Sequence, residues 1–222
     1  MVLNEIGKWV VRNTFLALIP VVMAYTIADL VEVTENRRRL SVKGLILILG
    51  VVWFAFLPNT CYLLTEWRHF LTRLDYSNLY VRWRMTGDAD TAFELMTHTL
   101  FYLCYSGIGA LTFTLAIRPM ARLLKRSGAT VWVWAIPFFM LMSLGMYLGL
   151  IMRYNSWDLI GRPGDVWRTV ADLRLRPTLS AFIVAFGGFL WLVYAAVDIW
   201  IDGFVCRWKG MRGADVTATH GE

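Results

Sequence analysis

Long apolar runs separated by short polar stretches set the pattern of this chain. Apolar residues dominate about 13–31, 44–64, 92–117, 130–152 and 178–201. Each run is near the roughly 20 residues an α-helix needs to cross a bilayer. A helix in hydrocarbon satisfies its own backbone hydrogen bonds, so five such runs predict five transmembrane helices. Between the runs the pattern changes. Within 65–91, Trp67, Phe70, Leu71 and Leu74 recur at helical spacing, with Arg68, Arg73 and Asp75 between them. That spacing predicts an amphipathic helix lying in the interface. Within 153–177, Val166, Trp167, Val170 and Leu173 are interleaved with Arg168, Arg174 and Arg176 in the same manner. The expected fold class is all-α: a polytopic integral membrane helical bundle with five spans, interfacial amphipathic helices and a single membrane domain over 1–222.

Local signals refine the spans. Pro20 falls inside the first and Pro58 inside the second, where it should kink the helix near its far end. Gly87-Asp88-Ala89-Asp90 reads as a turn, with Asp90 or Thr91 as the cap of the third span. Gly145 and Gly149 form a GxxxG pair, a spacing that lets another helix come close.

Composition agrees with the pattern. Hydrophobic residues make up 58% of the 222, against about 45–50% in soluble domains, and mean hydropathy is +0.53. The net charge of +6 does not point to nucleic acid, because the basic residues sit in short stretches between apolar runs and no zinc-finger spacing accompanies them. Cys61, Cys104 and Cys206 form no CxxC pair, so neither a disulfide framework nor a thiolate metal site is indicated. The first apolar run exceeds the h-region of a cleavable signal. Five spans put the N-terminus, 65–92 and 153–177 on one side, and 32–43, 118–129 and the tail on the other. The two sides tie at 11 of the 22 basic residues each. Basic density is higher in the short stretches 32–43 and 118–129, with four basic residues apiece. Short loops weigh most in orientation, which predicts a multi-pass membrane protein with the N-terminus outside and the C-terminus cytoplasmic.

Polar residues gather at the ends of the runs that share the N-terminal side: Asn59, Glu66, His69, Glu94, His98, Arg153, Asn155, Ser156, Trp157 and Asp158. Ionisable groups within a span are costly unless they face protein or water, so this is the candidate site. Three chemistries remain open. Glu66-x-x-His69 and Glu94-x-x-x-His98 each set a carboxylate and an imidazole on one helical face, a donor set suited to a divalent metal. Without metal, Arg153 would hold an anion, with Asn59, Asn155, Ser156 and Trp157 completing the ligand shell and His69, Glu66 and Asp158 as catalytic candidates for proton transfer. The third is structural: the same charges would tie helix ends together, with no enzymatic role and an unidentified protein partner. The partners expected are the lipid bilayer and an anionic or lipid-linked ligand.

Two segments carry a family resemblance. Phe56-Leu57-Pro58-Asn59 with Tyr62, Thr65-Glu66 and His69, and Gly145-x-Tyr147-Leu148-Gly149 with Arg153-x-Asn155-Ser156-Trp157-Asp158, resemble the bacterial membrane family named domain of unknown function 1361. The resemblance covers about 45–200. It implies a multi-span bacterial inner-membrane protein and no activity. The chain departs from the pattern twice. Glu66 stands where the family has Asp, and Leu150 stands where an Arg follows the second glycine, which leaves Arg153 as the cation of that motif.

Overall fold

The computed structural model describes residues 2–34, 40–154 and 158–218. Among these there is no strand. The helices are α1 (Val2–Thr34), α2 (Leu40–Phe56), α3 (Pro58–Leu64), α4 (Trp67–Ser77), α5 (Leu79–Thr86), α6 (Ala89–Arg126), α7 (Val131–Met146), α8 (Asp158–Gly161), α9 (Pro163–Asp172) and α10 (Pro177–Ala218). Five stretches are long and apolar enough to cross a membrane: Lys8–Thr34, Ser41–Thr72, Ala89–Arg126, Val133–Ile151 and Pro177–Met211. These are the five runs of the sequence, extended at most ends. The face that holds the start of α1, α4, α5, α8 and α9 is called the N-side below, and the opposite face the C-side.

α6 is the central helix. It packs against α1, α3 and α10, and its start is covered by α4 and α5. Its buried stripe runs Tyr102, Tyr105, Gly109, Phe113 and Ala116, steps of three and four that keep one face inward. Leu57, Cys61, Phe113, Phe139, Met142, Met146 and Leu190 join this stripe in one core shared by α2, α3, α6, α7 and α10. Polar side chains cross-link the helices inside it. Ser143 Oγ donates to the Ile183 carbonyl at 2.7 Å, and Trp53 Nε1 donates to the Ala116 carbonyl at 2.8 Å. Such bonds contribute about 1 kcal/mol each between membrane helices. Outward, Leu47, Ile48 and Val51 of α2 and Phe182, Val184 and Leu192 of α10 are exposed. In a bilayer that surface faces acyl chains, so its exposure carries no penalty.

The structure corrects three local expectations. Pro58 does more than kink the second span: α2 ends at Phe56 and α3 starts anew with Pro58 in its first turn, where a missing donor costs nothing. The cap of α6 is Asp88, not Asp90 or Thr91; its carboxylate accepts from Thr91 N at 3.0 Å and Thr91 Oγ1 at 2.7 Å. Those bonds, the hydroxyl's first, hold the Asp88 carboxyl below its ordinary value. And most of 118–129 is not a loop, because α6 continues through Pro119 to Arg126. Arg118 is therefore buried, paired with Asp198 at 2.9 Å and with Asp202.

The described parts of both interfacial segments are mostly helical. The 65–91 segment divides at Asn78, whose φ of 48° ends α4 and turns the chain into α5. Phe70 and Leu79 are its buried anchors, and Leu71 and Tyr80 point outward. In α9, Val166 is buried and Trp167 exposed.

Candidate functional site

The two family-like segments meet. α3 lies against the end of α7, and the glycines make the approach close. A Cβ on Gly145 would come within 3.4 Å of Pro58 Cγ, and one on Gly149 would overlap the Tyr62 hydroxyl. The GxxxG pair thus receives the first turn and the tyrosine of α3, a seven-residue segment rather than a full span. On its other side α3 presses on α6, where a Cβ on Gly109 would stand 2.7 Å from Leu63 Cβ and 2.9 Å from Leu64 N. Ser106 Oγ reaches the Leu64 carbonyl at 3.4 Å.

Past Gly145 the helix widens. Tyr147–Ile151 is a π-turn, closed by Met152 N donating to the Tyr147 carbonyl at 3.2 Å. Single π-turns recur at functional sites because they re-aim the residues that follow. Tyr154 N then donates to the Leu148 carbonyl at 3.0 Å, and Arg153 takes a φ of 58°. That is the left-handed region, uncommon for a residue with a Cβ, and it ends the span. Arg153 is exposed there and makes no ion pair among the described residues. The Tyr154 hydroxyl shares a hydrogen bond with Thr169 Oγ1 at 3.1 Å, which moors the turn to α9.

One turn beyond Tyr62, α3 gives way to Glu66. Its carboxylate is buried, 8% exposed, and Oε2 lies 3.7 Å from Nε2 of His69, whose side chain is 52% exposed. The His69 ring meets Trp9 of α1 edge-on, centroids 5.7 Å apart. Trp9 also packs on Tyr105, which stacks on Phe101. The polar neighbours of Tyr105 are Asn13, Thr14 and Glu66. The arrangement is a buried carboxylate behind an accessible imidazole, with an aromatic wall fixing the ring. It can donate a hydrogen bond to an incoming anion or pass a proton.

The remaining predicted residues divide. Asn59 is half-buried on α3, and Asp158 is half-buried at the first position of α8. Asn155, Ser156 and Trp157 lie outside the described residues. His98 is half-buried, and its Nδ1 bonds the carbonyl of Glu94 at 2.8 Å rather than the Glu94 carboxylate. The Glu94 side chain is exposed instead of facing inward. Among the described residues no three His, Cys, Asp or Glu side chains gather in a way that could hold a metal ion. Glu66 and His69 could supply two ligands, and a protein-held zinc takes three or four.

Sequence reasoning missed the role of Trp9 as the wall behind His69 and the seat of Tyr62 on Gly149. The second had a signal: a tyrosine in one motif and a glycine, the residue without a Cβ, in the other. The first had none, because α1 and α4 are far apart in the chain.

Comparison with protein families matches residues 12–193 to the family described as protein of unknown function DUF1361. No curated protein and no solved structure matches the chain.

Proposed function

The chain belongs to the DUF1361 family, and on that footing we propose that it binds an anionic, lipid-linked substrate of the cell envelope at its N-side. The observation that carries this is the Glu66–His69 pair, buried acid behind exposed imidazole at 3.7 Å. Arg153 supports it. It lies four residues past Gly149, as Glu66 lies four past Tyr62, and Tyr62 and Gly149 touch. The imidazole and the guanidinium therefore stand on neighbouring elements at one end of the bundle. Arg153 meets the negative charge, His69 donates to it, and Glu66 keeps His69 in its donor state. Asn59, Asn155, Ser156 and Trp157 are the proposed further contacts, and Asp158 a further acid. With the dense basic stretches cytoplasmic, the N-side faces outward from the inner membrane, where envelope substrates are handled.

Farnesyl diphosphate, a soluble isoprenyl diphosphate, is a suitable probe. Binding by the purified chain and its weakening of about tenfold or more in Arg153→Ala are expected, since one charge-assisted hydrogen bond contributes roughly 1.5–3 kcal/mol. Equal binding by both chains would remove Arg153 from the site.

One observation favours a second reading. The His69 ring packs on Trp9, so the Glu66–His69 pair also ties α4 to α1. As a scaffold alone, His69→Asn would lower stability and leave probe binding unmoved.

A further inference from the structure

At the C-side, away from the Glu66–His69 pair, α2, α6, α7 and α10 part to leave a half-open cavity of about 750 Å³. That is within the roughly 300–1,000 Å³ of small-molecule sites. Its walls are aromatic and aliphatic: Trp53, Trp134, Phe138 and Trp191 are among them, and the Trp53 and Phe138 rings stack 6.1 Å apart. The charged residues among its described walls are Lys125 and Asp198. Asp198 is neutralised by Arg118. Lys125 is exposed at the end of α6, one turn from Arg122, which is exposed as well. The cavity is thus apolar along the bilayer and cationic at its rim, where Arg122, Lys125 and Arg126 are exposed and Arg118 is taken up by Asp198 and Asp202.

We propose that this cavity binds one anionic phospholipid, an acyl chain lying against Trp53, Phe138 and Trp191 and the headgroup phosphate on Lys125 and Arg122. Charge complementarity selects this occupant. A zwitterionic lipid offers the same chain, but its headgroup brings a cation of its own to the basic rim. Basic side chains near a membrane surface each favour anionic lipid appreciably, so two of them set a preference of about tenfold or more.

The test uses the full chain in detergent with equal amounts of dioleoyl phosphatidylglycerol and dioleoyl phosphatidylcholine, read by native mass spectrometry. The wild-type chain is expected to retain phosphatidylglycerol about tenfold over phosphatidylcholine. Arg122→Glu with Lys125→Glu, both exposed and outside the packed core, is expected to abolish the preference. Ala135→Leu, which narrows the cavity, is expected to retain less of either lipid. Arg153→Ala is expected to keep the full preference, which separates this site from the one at the N-side. Equal retention of the two lipids by the wild-type chain would overturn the proposal. So would an unchanged preference in the charge-reversed chain, unchanged retention in Ala135→Leu, or a dimer that holds no lipid because a second copy fills the cavity.

Discussion

Gly149 and Gly109 show how a single missing Cβ positions a site. Gly149 seats the Tyr62 hydroxyl, and Gly109 lets the α3 backbone lie on α6. Gly109→Ala would push a methyl against backbone, which cannot swing aside, so we expect a loss of about 1–3 kcal/mol. Gly107→Ala, two residues away with nothing within 4 Å of its Cβ, should be neutral or slightly stabilising. Unfolding in increasing SDS, followed by circular dichroism, compares the two. Gly149→Ala meets the far end of a side chain instead, so Tyr62→Phe in the same chain should recover part of its loss. At this scale the sequence was only half legible. Glu66 and His69, three apart, were expected to share a face and do come together. Glu94 and His98, four apart, share a face as well, yet His98 bonds a backbone carbonyl and Glu94 turns outward. Spacing along one helix says which residues are neighbours on it, not which side the rest of the bundle covers.

Elements end where local chemistry dictates, and two ends of α6 differ from their sequence-based expectation. Asp88 caps its start through Thr91. The folded-state pKa of Asp88 is lowered, so its stabilisation is present above the ordinary value of 3.8 and is lost as pH falls through the lowered one. Hydrogen exchange in the first turn of α6 should therefore quicken only in that acid range, and Asp88→Ala should show the quickened rate already at neutral pH. At the other end, the apolar run was expected to stop at 117, yet the helix runs on through Pro119 and buries Arg118. A proline inside a membrane helix is tolerated because neighbouring groups re-satisfy the backbone; Trp53 Nε1 donates to the Ala116 carbonyl, next to the Leu115 carbonyl that Pro119 leaves without its usual donor. Arg118→Met would leave Asp198 without its cation. Breaking a buried pair costs about 3–5 kcal/mol, and Asp198 keeps a quarter of its surface, so we expect a smaller loss of roughly 2–3 kcal/mol. Arg118→Met with Asp198→Leu should recover most of it in the same SDS unfolding.

As a whole molecule the chain is a five-span helical membrane protein of the DUF1361 family, and that much was legible from its apolar runs and two motifs. Run length reports spans directly because the bilayer sets one length for all of them. How the spans pack is not written in run length. The meeting of α3 with the end of α7 depends on a helix broken at Pro58, a π-turn after Gly145 and the glycines between them. The cavity at the C-side arises where four helices part, which no single segment foreshadows. The proposed orientation belongs to this scale too. A phosphatase fused after Glu222 should be inactive and a fluorescent protein there bright, whereas an active phosphatase would turn the N-side towards the cytoplasm.

The central claim is that His69, backed by Glu66, faces an anionic lipid-linked ligand. The chain has three histidines, so carbon-labelled imidazoles give few enough NMR signals to follow one, and His69→Asn identifies it. On titration with farnesyl diphosphate the His69 signal should shift and its pKa rise as the phosphate favours the imidazolium, while His98 and His220 stay still. In Arg153→Ala the same shift should need about tenfold or more probe. A His69 signal that does not move at saturating probe, or that moves no more than that of His220, would contradict the account.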